Sequence, residues 1–245
     1  NNLLDFLWEV IMLKRNRGLE NLTAGYLFPE VARRRREFQQ KNPDAKIISL
    51  SIGNTTEPLP LFISKAMQDY ALALSTSEGY SGYGDEQGNA ELRKKIAEVW
   101  YKDLAKPEEV FISDGAKCDI ARIQTLFGSK VKIAVQDPSY PVYVDGSVIV
   151  GAAGKSNGSG YKGITYMPCT PENNFFPDLS KIKKNSLIYF CSPNNPTGAV
   201  STKEELKQLV DFANKNGCII IFDAAYREFI RDENLPKTIF EIEGS

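Results

Sequence analysis

The sequence predicts an α/β fold, in which helices cover both faces of a mainly parallel β-sheet. Two observations predict it: short apolar, β-branched runs alternate with helical patterns, and the runs stay apolar along most of their length. Strands that are apolar on both faces are typical of a parallel sheet covered on both sides. The predicted strands span residues 46–51, 110–113, 131–135, 164–167, 186–190 and 218–222. The predicted helices span residues 61–74, 89–103, 116–127, 141–150 and 202–216.

Composition excludes several classes of function. The 245 residues carry a formal net charge of −1, which gives no electrostatic footprint for nucleic acid or for an anionic membrane. The basic cluster at residues 33–36 lies in an amphipathic helical pattern and is interpreted as a solvated helix face. The chain has no histidine, and its four cysteines lack zinc-site spacing, so histidine-based metal sites, Ser-His-Asp triads and Cys-His dyads are excluded within it. We expect reduced thiols in a cytosol-like compartment.

The N-terminal run LLDFLWEVIML predicts neither a membrane span nor a signal peptide. It is short, acids interrupt it at Asp5 and Glu9, and no basic region precedes it. Two interpretations of residues 1–11 remain open. Translation starts at Met12 and these residues are upstream read-through, or they form an ordinary N-terminal helix.

Unusual residues follow several predicted strands, at the edge of a parallel sheet where ligands bind. Gly115 opens the helix after residues 110–113, and a helix N-terminus attracts phosphate, although many α/β loops look alike. Pro138 and Pro141 restrict Tyr140, whose ring could stack on a flat cofactor or plug the edge of the domain. Asp223 ends a strand that is apolar enough to be central and buried. A carboxylate there needs a cation, and a protonated cofactor nitrogen is one candidate.

These loops together resemble one family. The motifs DGAK, DPSYP, SPNNPTG and DAAY, in that order, are similar to those of the fold-type I pyridoxal-phosphate aminotransferases, from about Leu13 to the end of the chain. The resemblance implies pyridoxal 5'-phosphate as cofactor. It implies that backbone N–H groups of Ala116 and Lys117 bind the phosphate, that Tyr140 stacks on the ring and that Asp223 pairs with the ring nitrogen. The remaining implied cofactor contacts are Asn195 and Tyr226 at the phenolic oxygen, and Tyr83 across the two-fold axis of a homodimer.

A narrower resemblance concerns the substrate. Segments such as LTAGYLFPEVARRR, STSEGYSGYGDEQG and CTPENNFFPDL are similar to the LL-diaminopimelate aminotransferases, especially the plant-type form. That likeness implies amino transfer between LL-diaminopimelate and 2-oxoglutarate, in lysine and cell-wall precursor synthesis. The alternatives are another fold-type I aminotransferase or lyase, and a catalytically dead module that keeps the cofactor. The implied substrate-contacting residues are Tyr26, Gly53, Glu78, Lys117, Tyr140 and Asn195.

One expected residue is not found. The resemblance places the imine-forming lysine in an S-x-S-K-like segment beyond the DAAY motif, and the printed chain ends at Ser245. Lys130 and Lys181 each follow a serine, but both precede the required strand, so no catalytic lysine is assigned within this chain. We therefore expect an inactive fragment whose sheet is incomplete at the C-terminus. Its compartment would be cytoplasmic, or a plastid for a plant-like source.

The expected domain organisation follows the same resemblance. Residues 1–11 would be a non-native or upstream extension. Residues 12–58 would supply an N-terminal arm and part of a small domain, and residues 59–245 would form a truncated large cofactor-binding domain.

Overall fold

The computed structural model describes residues 16–22, 27–49 and 57–245, which fall into two compact units. One unit contains residues 90–245 together with the described residues 16–22, and the other lies within residues 24–89. This division groups residues 59–89 with the segment before them, whereas the sequence interpretation placed them in the large domain. The assignment of the segments to an extension, an arm, a small domain and a large domain stays a prediction.

Among the described residues, the α-helices are numbered α1 to α7 in chain order. They are α1 (Arg17–Asn21), α2 (Leu27–Lys41), α3 (Leu61–Ala73), α4 (Ala90–Lys95), α5 (Ala116–Phe127), α6 (Val142–Ile149) and α7 (Lys203–Asn216). A π-helical turn over Ile96–Trp100 continues α4. The helices that the sequence predicts at residues 61–74, 89–103, 116–127, 141–150 and 202–216 are confirmed, within a few residues at their ends.

Among the described residues of the larger unit, four parallel strands form a sheet in the order β2-β1-β3-β4. Cys191 lies opposite Asp223, and Asp137 lies opposite Pro168, so the carboxyl ends of the strands meet at one edge of the sheet. The predicted parallel α/β architecture is confirmed. The strands are β1 (Lys132–Asp137), β2 (Ile164–Pro168), β3 (Ser186–Cys191) and β4 (Ile219–Asp223).

Helices cover both faces of the sheet. Successive side chains of each strand point to opposite faces, so each strand contributes residues to both packing layers. Ile133, Val135 and Tyr189 pack on one face, with residues of α5 and α6. Ile188 and Phe190 pack on the other face, and three fully buried or nearly fully buried residues of α7 cover them. Those residues are Leu206, Leu209 and Val210.

Local sequence signals set the bounds of α7. Thr202 accepts a hydrogen bond from the backbone N–H of Glu205, and the Glu205 carboxylate accepts one from the N–H of Thr202. This capping box satisfies two backbone donors at the helix start. Gly217, with φ of 62°, ends the helix in the left-handed conformation that glycine adopts at little cost.

Two predicted strands are wrong in the described residues. Residues 110–113 have no ladder partner there and form no strand, although Val110 is buried. Residues 46–49 have no regular structure, and residues 50 and 51 lie outside the described residues. Both runs are rich in residues that favour strands, but a strand also needs a neighbour to satisfy its backbone groups.

The central position predicted for the strand that ends at Asp223 is not seen within the described sheet. Within the described sheet β4 lies at the edge, its first residue Ile219 is 49% exposed, and Asp223 is half-buried. An apolar run indicates that both faces of a strand are at least partly covered. It carries no information on whether both edges are paired.

Helix α1 docks on the end of α6 through Gly18. Asn16 Nδ2 donates to the carbonyl of Ile149 at 2.9 Å, and a Cβ added at Gly18 would lie 2.4 Å from the same oxygen. We expect Gly18→Ala to lower the free energy of unfolding by about 1–3 kcal/mol, because backbone must shift to admit the methyl group. Denaturant unfolding measures this. Gly84→Ala is the control, since a Cβ there meets nothing within 4 Å; equal midpoints for the two variants would contradict the close contact.

The smaller unit contains α2 and α3, whose surfaces differ. On α2 the arginines of residues 33–36 are exposed, and Arg33 pairs with Glu30 and Glu37, which confirms the solvated helix face. On α3 no residue is buried. In the described part of the chain, no helix is both long and apolar enough to cross a membrane. The large exposed apolar side chains of α3 are Leu61, Phe62, Ile63, Met67, Tyr70 and Leu72.

Candidate active site

A cavity of about 220 Å³ lies at the carboxyl edge of the sheet. Residues at or after the ends of β1, β3 and β4 line it together with the first turns of α5, so these segments converge on one volume. A larger cavity of about 400 Å³ lies beside β4, but its lining is mostly apolar and its titratable side chains are Tyr101 and Cys218. Of these two cavities, the smaller one gathers several polar groups of different chemistry. Its lining residues are Ala116, Lys117, Ile120, Tyr140, Tyr143, Cys191, Asn195, Asp223, Ala225 and Tyr226.

The N-terminus of α5 forms one end of this cavity. Gly115 precedes the helix with φ of 129° and offers no side chain to cap it, and Ala116 and Lys117 are its first two residues. The first N–H groups of a helix lack intrahelical acceptors, and the helix dipole favours an anion there. The Arg122 guanidinium holds the pKa of the Asp114 carboxyl below its usual range, so the acid beside this end is neutralised by an ion pair.

Tyr140 forms one side of the cavity and is half-buried. Its ring meets the ring of Tyr143 edge-on, with 6.1 Å between centroids and 80° between planes. Pro141 follows it as the N-cap of α6, which fixes the backbone on that side. The ring is therefore held against the core while it borders the cavity.

Asp223 lies at the carboxyl end of β4 and its carboxylate has two neutral donors. Tyr143 Oη donates to Oδ2 at 2.7 Å, and the backbone N–H of Ala225 donates to Oδ1 at 3.0 Å. Among the described residues no lysine or arginine forms an ion pair with this carboxylate. The cation that the sequence interpretation required is thus not supplied by the described protein groups.

Asn195 and Tyr226 bring two polar groups together across the cavity. Asn195 Nδ2 donates to Tyr226 Oη over a long 3.4 Å. The neighbouring Asn194, which is 4% exposed, holds the loop in place: its Nδ2 donates to the carbonyl of Pro138 at 3.2 Å and to Thr197 Oγ1 at 3.0 Å. The proline-rich loop after β3 therefore holds the Asn195 amide in a fixed position.

Cys191 borders the cavity but is not a nucleophile. Burial, followed by the nearby Asp223 charge, raises the pKa of its thiol to about 11, and Sγ donates to the carbonyl of Pro193 at 3.1 Å. A reactive cysteine needs the thiolate near neutral pH. Cys191 therefore stays a neutral part of the wall.

The predicted site residues divide into three groups. Six of them border the one cavity. Glu78 and Tyr83 belong to the smaller unit and are exposed there. Tyr26 and Gly53 lie outside the described residues. The six that border the cavity are Ala116, Lys117, Tyr140, Asn195, Asp223 and Tyr226.

Sequence reasoning missed two residues that shape the site. Tyr143 follows Tyr140 by three positions, and nothing in the sequence distinguishes it from an ordinary core aromatic. Arg227 directly follows Tyr226; its Nη2 donates to the carbonyl of Trp100 at 2.8 Å, and its guanidinium lies 5.5 Å from the ring centroid of Tyr101. It ties the turn after β4 to a segment more than a hundred residues earlier, a contact that no local pattern signals.

A match to a family model identifies the family of this chain. The model for aminotransferase class I and II matches residues 45–244. The chain belongs to the class I and II aminotransferase family. Among the residues that the structure describes, this aminotransferase chain has no group of three or more metal-ligating side chains that could hold a metal ion.

Individual relatives within the aminotransferase family carry a common description. The chain is 55% identical over 236 residues to the LL-diaminopimelate aminotransferase of Protochlamydia amoebophila, covering 96% of this chain and 57% of the relative. It is 57% identical to the chloroplastic LL-diaminopimelate aminotransferase of Arabidopsis thaliana, covering 95% of this chain and 51% of the relative. The solved structure of L,L-diaminopimelate aminotransferase from Chlamydomonas reinhardtii matches with a TM-score of 0.90 and 59% identity, covering 96% of this chain and 58% of that one. The chain thus spans little more than half the length of these relatives.

Proposed function

We propose that the protein made from the complete reading frame is a pyridoxal-phosphate-dependent LL-diaminopimelate aminotransferase. It would transfer an amino group between LL-diaminopimelate and 2-oxoglutarate, in lysine biosynthesis, as a homodimer. One observation carries the proposal: a single cavity combines a glycine-led helix N-terminus, an aromatic ring and a carboxylate without a described cation. The similarity to relatives described as LL-diaminopimelate aminotransferases supports the choice of substrate.

The residues present fit pyridoxal phosphate. Its phosphate dianion matches the N-terminus of α5, and its flat ring matches the side chain of Tyr140. Asn195 and Tyr226, whose polar atoms lie 3.4 Å apart, can both donate to one phenolic oxygen. Asp223 supplies the acceptor for a protonated ring nitrogen.

When bound, the cofactor supplies an electron-accepting ring that stabilises negative charge at the α-carbon of the substrate. Asp223 would hold the ring in its accepting state, because an ionised carboxylate beside the ring nitrogen favours its protonated form. Asn195 and Tyr226 would bind the phenolic oxygen and so fix the orientation of the ring. Proton transfer at the α-carbon needs a base, and no catalytic lysine is assigned within this chain.

The test is amino transfer by the protein expressed from its complete reading frame. We expect formation of glutamate from 2-oxoglutarate with LL-diaminopimelate as donor, at a kcat/KM at least tenfold above that with aspartate or an aromatic amino acid. Efficient turnover of the latter donors alone would replace the proposed substrate and keep the family. Cofactor binding without any turnover would favour the rival interpretation, a cofactor-binding module.

Glu78 is the proposed selector of the distal ammonium of diaminopimelate. Its carboxylate is exposed in this chain. A carboxylate that faces an ammonium favours the binding of substrates that carry this second positive charge. We expect Glu78→Gln to lower kcat/KM for LL-diaminopimelate by about 10- to 100-fold, the value of one charge-assisted hydrogen bond. Donors without a distal ammonium should be affected less than threefold. Glu91→Gln, an exposed acid in the first turn of α4, is the control, and equal losses for all donors would contradict the selector role.

The proposed homodimer is supported by two exposed features of the smaller unit. The side chain of Tyr83 is fully exposed, and α3 presents an apolar surface of at least six large side chains. An apolar surface of this size on a single helix favours coverage by another protein surface. In a symmetric dimer each exposed Tyr83 would be available to the other subunit.

A further inference from the structure

A buried tyrosine, Tyr143, lies next to the Asp223 carboxylate that lines the cavity. Tyr143, the second residue of α6, is 1% exposed, and its Oη donates to Asp223 Oδ2 at 2.7 Å. The two residues are 80 positions apart and belong to different elements. The hydrogen bond therefore depends on how α6 packs on the sheet.

The ring of Tyr143 cannot turn away from Asp223 without breaking other contacts. It stacks on Tyr189 of β3, with 5.1 Å between centroids and 12° between planes, and it meets the edge of Tyr140. The carbonyl of Tyr143 accepts a hydrogen bond from Ser147 Oγ at 2.7 Å. These contacts fix both the backbone and the ring, so the hydroxyl has one direction.

The phenol keeps its proton and donates a hydrogen bond to Asp223. Burial, and then the neighbouring Cys191 and Asp223, raise the pKa of Tyr143 far above its usual range, so the hydroxyl keeps its proton. Asp223 therefore receives one hydrogen bond on each oxygen, from Tyr143 and from the backbone of Ala225. Hydrogen bonds to a carboxylate favour its ionised form and set its orientation.

We propose that Tyr143 is a positioning residue that keeps the Asp223 carboxylate aimed at the ring nitrogen of the cofactor, while its own ring packs against Tyr140. This inference rests on the proposed function, because it concerns the same cofactor. The competing view is that Tyr143 serves only as a core aromatic. The two differ in what the hydroxyl does, since Tyr143→Phe keeps the stacked ring and removes only the donor.

The experiment uses the protein from its complete reading frame, loaded with pyridoxal phosphate that carries ¹⁵N in the ring. For Tyr143→Phe we expect the pH at which the ring nitrogen loses its proton to fall by about one unit, because a carboxylate that is no longer held in line with the nitrogen stabilises the protonated form less. The value of kcat should fall about tenfold, with KM changed less than threefold. Tyr161→Phe is the matched control: Tyr161 is 7% exposed and its hydroxyl donates to the carbonyl of Asn21 at 2.9 Å, outside the cavity. It should lose comparable stability but keep the ring-nitrogen titration and kcat.

The outcomes separate the two proposals. Failure of the wild-type protein to bind pyridoxal phosphate overturns the proposed function and the role of Tyr143 with it. Normal binding and turnover by wild type, with the same nitrogen titration in Tyr143→Phe, overturns the role of Tyr143 alone. If Tyr143→Phe does not fold, wild-type protein labelled with ¹³C at the tyrosine ζ carbons gives a second measurement. The Tyr143 signal should shift on cofactor addition while that of Tyr161 stays in place, and an unmoved Tyr143 signal overturns the inference.

Discussion

Replacing Asp223 with alanine is expected to lower the turnover of the complete protein by about a thousandfold, the upper range for removing one preorganised electrostatic group from an active site. The physical reason is the loss of the negative charge that keeps the ring nitrogen protonated. Without that proton the ring is a poorer electron acceptor, so the carbanion at the substrate's α-carbon loses its stabilisation. Steady-state kcat with LL-diaminopimelate and 2-oxoglutarate measures the effect.

Asp223→Asn separates charge from shape. The amide oxygen can still accept a hydrogen bond from Tyr143, but the formal charge is gone, so turnover should fall nearly as far as in Asp223→Ala. Asp211→Asn, an exposed acid of α7 that pairs with Lys207, removes a charge from the surface and should leave kcat unchanged. If Asp223→Asn kept kcat within a few fold of the wild-type value, turnover would not depend on the carboxylate charge.

Mixing two inactive or weakened variants is expected to restore activity if the active site is shared between subunits. Tyr83→Phe removes the hydroxyl proposed to reach the cofactor phosphate of the other subunit and should weaken cofactor binding by about 10- to 100-fold. Asp223→Ala disables the site of its own subunit. In a mixed dimer one site receives both wild-type residues, so random pairing should recover about a quarter of wild-type activity.

The assay requires unfolding or dilution and reassociation of the two variants together, at a cofactor concentration near the wild-type Kd. Each variant reassociated with itself gives the baseline. Activity no greater than the mean of the two separate variants would contradict a shared site, and unchanged cofactor affinity in Tyr83→Phe would contradict the role of its hydroxyl.

The parts of the fold that depend on local chemistry could be predicted from the sequence. Helix α7 has a capping box at Thr202 and a glycine at 217, and α5 is bracketed by Gly115 and Gly128, so both helices were found with accurate bounds. The strand-end position of the site also followed, because parallel strands place their carboxyl ends at one edge.

The parts that depend on distant contacts could not be predicted. The run at residues 110–113 has strand-forming residues, but no described neighbour pairs with it. The apolar composition of β4 did not reveal that it lies at the edge of the described sheet. The hydrogen bond from Tyr143 to Asp223 joins residues from different elements, and only the packed structure shows it.

A crystal structure of the complete protein with pyridoxal phosphate tests the central claim most directly. We predict the phosphate at the backbone N–H groups of Ala116 and Lys117, the ring against Tyr140, and the ring nitrogen within about 2.7–2.9 Å of Asp223, the range of a charge-assisted hydrogen bond. Asn195 and Tyr226 should both donate to the phenolic oxygen. A cofactor bound elsewhere, or bound in this cavity with its ring nitrogen turned away from Asp223, would contradict the account.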